Sequence, residues 1–393
     1  MKTKILVECP ALISSVKIGV LSVLENRKEC EVKFKRTIEI NEKDIVWSDI
    51  VISVRGCERA SLKIVKAANK AKRFTIMFLD DDLINIPLDL DSTKYYNDRE
   101  LKKYIEKVLE NSNVLWAVNP RIIKKYSKFT IEKKGILSKV PMEIENDIER
   151  VEFSTNPLKI LYAGSIDHEK TLKKIINPVV KKFNDEISSG KVSFTFIGAN
   201  PHIKNTKHYK YFESYEKYKK FVKEGRFSIG LAPIEITEFY KSKYYNKFLE
   251  YSSIGVLGIY TNSEPYKLVV RHNENGILCK NEVESWYSEI KKVIDNPNKI
   301  RNMIKKAQED LVKNYNLNIV QNELFKQIPE LLTYKAPLVE LKSIKLKDLK
   351  YVFYMERLKL LMRIYGLKSI YVIPYRVLKK IVKKIVKILG KEI

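Results

Sequence analysis

Cysteine and histidine are scarce in this chain, four of each among 393 residues, and no two cysteines stand as a CxxC pair. That scarcity argues against a disulfide framework or a zinc centre. Cys9, Cys30, Cys57 and Cys279 are expected as reduced side chains packed near strand ends. Long apolar runs are missing too. No stretch approaches the roughly 20 residues that a spanning helix needs. The opening run from Lys4 to Cys9 is too short for a signal-peptide core and meets Glu8. A cytoplasmic protein is therefore expected. Acidic residues are also few: 48 Asp and Glu stand against 74 Lys and Arg, a net charge of +26. Much of that excess is local, since residues 341–393 carry fifteen Lys or Arg against Asp348, Glu356 and Glu392, a net +12. An anionic partner is expected at this end of the chain.

What is present suits a folded chain of two or three domains. Apolar residues make up 45% of the chain, enough to fill real cores. Short apolar runs at 4–9, 49–53, 74–79 and 114–118 alternate with helical stretches such as 15–25 and 61–72, and Asn119-Pro120 opens another helix. Asn156-Pro157 punctuates the chain, and the pattern restarts with runs at 158–163, 192–197, 227–232 and 257–260. A helix over 170–184 is expected to kink at Pro178, and another is expected over 246–254. Such alternation predicts parallel sheets covered on both faces. The fold class expected is α/β: two Rossmann-like domains facing a cleft, over residues 1–155 and 156–335, with a basic helical tail over 336–393. Ligands of such sheets bind beyond the carboxyl ends of the strands.

Several strand-end segments of the second half share a pattern. Leu-Lys-Ile-Leu-Tyr-Ala-Gly-Ser at 158–165 is followed by Phe-Ile-Gly-Ala-Asn at 196–200 and Ser-Ile-Gly-Leu-Ala-Pro at 228–233. Lys-Ser-Lys-Tyr-Tyr-Asn-Lys-Phe-Leu-Glu-Tyr at 241–251 comes next, then Asn275-Gly276-Ile277-Leu278. In order and spacing this resembles the donor domain of GT-B glycosyltransferases of the family-four-like, group 1 branch, over about residues 156–330. The resemblance implies a nucleotide-sugar site formed by Gly164, Ser165, Lys170, Gly198, Asn200, Tyr215, Lys243, Asn246, Lys247 and Glu250. In physical terms, Gly164 lets backbone amides approach a diphosphate, Lys170 and Lys247 supply positive charge, and Glu250 accepts from ribose hydroxyls. Tyr215 or Tyr218 is available to stack on the base, and His168 lies near enough in sequence to reach a phosphate. Two positions depart from the pattern: Ser242 stands where a first acidic residue is common, and Ser165 where an arginine is.

The first half is then the acceptor side. Arg55 and Arg59 flank Gly56 and either bind an anionic acceptor or are plain surface arginines. Asp80-Asp81-Asp82 leaves three readings open. The aspartates cap a turn, or hold a divalent metal as Asp-x-Asp does in the GT-A architecture, or Asp81 or Asp82 orients an acceptor hydroxyl or acts as its base. The third reading makes Asp82 and Asp81 the catalytic candidates, with no metal ligand assigned and no cofactor beyond a nucleotide diphosphate sugar as donor.

Val377, Leu378, Ile381, Val382, Ile385, Val386 and Leu389 form an apolar stripe at helical spacing, with lysines on the opposite face. The stretch Val377–Lys391 is expected to lie on an anionic membrane surface, with docking on the protein's own body as the alternative; interleaved aromatics that would favour nucleic acid are absent there. Residues 351–365 are expected as a helix packing across the domains. The reading is a glycosyltransferase of cell-surface glycan biosynthesis. It would move a sugar to a glycan, lipid-linked or protein acceptor, peripherally on the inner membrane face. The alternatives are a sugar-nucleotide epimerase or hydrolase, and a non-catalytic basic binding protein.

Overall fold

The computed structural model describes residues 2–87, 94–145, 147, 156–164, 169–346, 348–370 and 374. The expected strands are present in two parallel six-stranded sheets. The first holds β1 (Thr3–Cys9), β2 (Cys30–Arg36), β3 (Ile50–Val54), β4 (Phe74–Leu79), β5 (Val114–Ala117) and β6 (Lys134–Leu137). The second holds β7 (Leu158–Gly164), β8 (Val192–Gly198), β9 (Lys207–Tyr209), β10 (Ile229–Ala232), β11 (Leu257–Thr261) and β12 (Ile277–Cys279). β3 and β4 are buried at every position, which is why they read as unbroken apolar runs rather than alternating ones.

The strand orders differ. The first sheet runs β2-β1-β3-β4-β5-β6, the flavodoxin-type order with its reversal between β1 and β3. The second runs β12-β11-β10-β7-β8-β9, the dinucleotide-binding order with its reversal between β7 and β10. Sequence reasoning treated both as Rossmann-like without separating them. β2, β6, β9 and β12 were not read as strands: β2 and β9 carry mostly partly or fully exposed residues, and β6 and β12 are only four and three residues long.

Local rules explain several helix starts. Asp98 caps helix Arg99–Glu110 by accepting from the amides of Glu100 and Leu101. Asn119 caps helix Pro120–Tyr126, whose first residue is proline, where the missing N–H costs nothing. The helix expected over 170–184 is present as contiguous segments: a wide turn over Leu172–Ile176 runs into helix Asn177–Lys182, which places Pro178 in its first turn, where the missing N–H costs little.

The same Asn119 joins the two halves. Its amide nitrogen donates to the carbonyls of Lys241 (3.1 Å) and Lys243 (2.7 Å). Arg121 pairs with Glu264 and, at 3.2 Å, with Glu238. Met142 N–H donates to Tyr315 O (2.9 Å), and Val140 N–H to the Tyr244 hydroxyl (2.9 Å).

The chain then returns to the first sheet. Gln321 donates to Val23 O and the Thr3 hydroxyl to Leu332 O. Helix Leu349–Tyr365 buries Leu349, Phe353 and Leu360, and Ile344, Leu346, Leu349 and Phe353 join Leu6, Val51 and Ile64 in one apolar cluster. The helix expected over 351–365 is thus present on the first sheet. The boundary expected at 335 falls inside this return, which begins with helix Leu317–Gln327. The stripe Val377–Lys391 lies outside the described residues, and among the described residues no helix is long and apolar enough to cross a membrane.

Candidate donor site

A cavity of about 440 Å³ opens at the carboxyl end of the second sheet, at its reversal point. Its walls come from the ends of β7 (Tyr162, Ala163, Gly164), β8 (Ile197) and β10 (Leu231, Ala232, followed by Pro233 and Ile234). One side is closed by tyrosines Tyr211, Tyr215 and Tyr218, the other by Lys243, Asn246, Lys247 and Glu250. Gly164, Tyr215, Lys243, Asn246, Lys247 and Glu250, all expected at a donor site, are therefore brought together. Tyr218 joins them, as the sequence allowed.

Helix Asn246–Ser253 holds Lys247 and Glu250 one turn apart on the cavity side while Phe248, Leu249 and Tyr251 are buried behind it. Lys247 Nζ lies 2.7 Å from Glu250 Oε1 and 5.5 Å from the ring centres of both Tyr218 and Tyr251. The Tyr218 hydroxyl donates to the same carboxylate oxygen. Burial, reinforced by the charge of Glu250, raises the Tyr218 phenol well above its usual range, so it stays a donor. Glu250 is only 9% exposed, and its charge is met by one ammonium and one phenol from separate helices. Glu250, expected to accept from ribose hydroxyls, here accepts from these two side chains of the protein. Lys247, expected on phosphate, is engaged with it.

Glycine is required at Gly198, beside the cavity, and Gly164 lies close against Tyr162. Gly198 has φ +89°, and a Cβ there would sit 2.3 Å from Gly164 O and 2.9 Å from the Tyr211 ring. At Gly164 a Cβ would meet the Tyr162 hydroxyl at 2.5 Å. Gly198 thus shapes the floor without lining the cavity. Tyr215, 42% exposed, stacks at 5.9 Å and 29° on Tyr218 and offers a flat outer face. Two expected residues are elsewhere. Asn200 accepts from His202 N–H in a turn and Lys170 is exposed on helix Glu169–Thr171; neither lines the cavity. Ser165 and His168 lie outside the described residues.

The acceptor-side cluster faces Lys243. Arg55, itself at φ +52°, sends Nε and a terminal nitrogen to Asp80 (2.5 and 2.8 Å) and the same terminal nitrogen to Asp81 (2.8 Å). Lys243 Nζ approaches Asp81 from the other half at 3.8 Å. Asp82 is fully buried and accepts from Lys125 Nζ (2.7 Å), the Tyr126 hydroxyl and the Asn85 amide (3.0 Å). Asp80 and Asp81 therefore share Arg55, while Asp82 has partners of its own. Asp82, expected as a reacting carboxylate, is closed off from solvent, and only Asp81 reaches toward the donor cavity. Among the described residues no group of three or more His, Cys, Asp or Glu is placed to hold a metal. Arg59 stands apart, 53% exposed and 3.7 Å from Glu356. The lining residues that reasoning along the chain missed are Tyr162, near the end of β7, and Tyr211, in the segment before helix Tyr215–Gly225; neither has neighbours in sequence that mark it.

Comparison with known proteins agrees with this geometry. Residues 247–310 match the family model for glycosyl transferases group 1, a stretch that opens on the Lys247–Glu250 turn. No curated protein sequence matches the chain. Among solved structures, HepE (Alr3699) of Anabaena in complex with UDP and glucose superposes with a TM-score of 0.62 at 9% identity, over 84% of this chain and 100% of that one. A glycosyltransferase from Rickettsia africae ESF-5 gives 0.58 at 15% identity, over 85% and 100%. The apo form of the lipopolysaccharide outer core galactosyltransferase WaaB gives 0.51 at 14%, over 84% and 99%. The fold is GT-B, as the sequence resemblance implied, and the group 1 resemblance is matched within the donor half.

Proposed function

We propose that this protein transfers a sugar from a nucleoside diphosphate sugar held in the 440 Å³ cavity to an acceptor bound at the end of the first sheet. The observation that carries the reading is the cavity itself: an aromatic wall for a base, a carboxylate for ribose hydroxyls, and two lysines for a diphosphate, at the strand reversal where such sheets bind nucleotides. In this reading Glu250 leaves Lys247 for the ribose as Lys247 and Lys243 turn to the diphosphate, whose negative charge grows as the sugar departs. Asp81 orients the acceptor hydroxyl, and Arg55 holds Asp81 in place. HepE binds UDP and glucose, which makes uridine the first base to test here.

The acceptor proposed is a glycan, a lipid-linked sugar or a protein at the inner membrane face, with Val377–Lys391 on anionic lipid. Deleting 375–393 should lower the share of protein held on anionic vesicles. The donor assignment is tested by thermal shift against nucleoside diphosphates and their sugars, with and without divalent metal. Stabilisation by one diphosphate without metal supports it. Stabilisation that needs metal would turn attention to Asp80–Asp82, and no stabilisation by any nucleotide would overturn it.

A further inference from the structure

We infer that the outward face of helix Leu349–Tyr365 is a contact surface for an anionic lipid bilayer, which it holds against the acceptor-side sheet. The inference deepens the membrane-face reading above but stands on different residues from the tail. This helix has two apolar faces. The inner one, Leu349, Phe353 and Leu360, is buried against the first sheet's outer helices. The outer one carries Tyr351 (65% exposed), Tyr354 (58%), Leu358 (38%) and Met362 (53%). At 3.6 residues per turn these fall on one side of the helix, opposite the inner face. Leu367 and Ile370, 88% and 75% exposed, extend the apolar surface past the helix end. A helix that served only as a strut would be polar on its outer side, and four large apolar side chains exposed on one helix face mark a contact site.

The helix cannot roll to hide that face. Arg357 is anchored on Glu58 (3.0 Å) with its guanidinium 4.2 Å from the Phe353 ring centre. Arg363 is anchored on Asp98 (2.7 Å), one turn and a half further along. Both ion pairs fix the helix to loops of the first sheet.

Charge decides what covers the face. Lys350 and Lys368 are exposed beside it, within the segment that carries a net +12 in a chain of +26. A second copy would bring the same positive strip against itself. Nucleic acid would satisfy the lysines and leave four large apolar side chains in water. An anionic bilayer meets both demands, because headgroups take the lysines while the boundary below takes leucine, methionine and the tyrosine rings. The position also makes sense. Glu58, which anchors the helix, follows Arg55 by three residues at the end of β3, so the lipid surface would lie beside the acceptor side of the cleft. An acceptor anchored in that bilayer would then reach the cleft without leaving the membrane.

The test uses the full chain and flotation with phosphatidylcholine vesicles, with and without phosphatidylglycerol. Combined Tyr351→Ser, Leu358→Gln and Met362→Gln should lower partitioning onto the anionic vesicles at least about tenfold, since each removes apolar area from the boundary. The shift in melting temperature with UDP should stay unchanged, and its behaviour reports on the donor site alone. Lys350→Glu with Lys368→Glu, which touches no packed residue, should also reduce anionic partitioning. Unchanged partitioning in both variants overturns the proposal. So does conversion of a dimer to a monomer by the triple variant, which would assign the face to a second copy. Faster proteolysis within 375–393 at unchanged partitioning also overturns it, by assigning the face to the chain's own tail. Tail deletion run in parallel keeps the two readings apart, because the helix face predicts residual partitioning without the tail.

Discussion

The two sheets end in charged clusters on the same cleft, and the clusters are built in opposite ways. At the end of the first sheet, Arg55 spans Asp80 and Asp81 while Lys125, Tyr126 and Asn85 close on buried Asp82. Charges there are matched within the protein. At the end of the second sheet, one lysine and one tyrosine meet Glu250 on the wall of a 440 Å³ space. An ion pair beside open volume can exchange partners with a ligand. A pair sealed among its own hydrogen bonds can only be broken at a cost in stability. Glu250 stands beside open volume, whereas Asp82 is buried among its own partners.

That contrast can be broken in several ways. Glu250→Ala should have the largest effect on function: at least about 100-fold in kcat/KM, equivalent to about 2.7 kcal/mol. It should also lose the UDP-induced thermal shift, with little change in melting temperature without ligand. Tyr218→Phe should follow in the same direction but more weakly, because Lys247 still holds the carboxylate. Full activity in Glu250→Ala would abolish the distinction. Asp82→Ala should do the reverse, lowering unfolding free energy by about 3 kcal/mol in urea titration while the folded protein still binds nucleotide. If it lost turnover without losing stability, Asp82 would be a reacting group after all.

Gly198→Ala should cost about 1–3 kcal/mol, because an alanine at φ +89° would press its Cβ on Gly164 O and Tyr211. It should also weaken UDP stabilisation by moving Tyr211 at the cavity wall. The smallest effect concerns pH. Burial alone would raise the Asp80 carboxyl, but the charge and hydrogen bonds of Arg55 overcome it and hold the group below its usual range. A depressed folded value contributes stability that is present above the unfolded value near about 4 and lost as pH falls through the folded one. Melting curves of the wild type and Asp80→Asn should therefore run apart at pH 7 and converge as pH falls below about 4. Curves that stayed parallel would remove Asp80 from the structural side of the comparison.

Much of the fold was legible along the chain. β3, β4, β7, β8 and β11 announced themselves as short apolar runs because strands buried on both faces need apolar residues at every position. β2 did not, since its lysines and glutamate at Glu31, Lys33 and Lys35 face outward on an edge. The helix of Lys247 and Glu250 was legible because three-residue spacing places both side chains on one face whatever surrounds them.

Which partners those residues take was not legible. Tyr218 reaches Glu250 from 32 positions away, and Lys125 reaches Asp82 across 43. The aspartates at 80–82 read as one acidic triad, and the fold gave them to Arg55, Lys243 and a buried tyrosine from three separate segments. By itself the sequence determined what depends on neighbours within a turn or a strand: element type, the Asn119-Pro120 helix start, and the glycines at the ends of β7 and β8. Tertiary structure alone decided burial, pairing and empty space. Those properties arise from segments distant in sequence that meet only when two sheets and a returning helix pack together, so no local pattern could carry them.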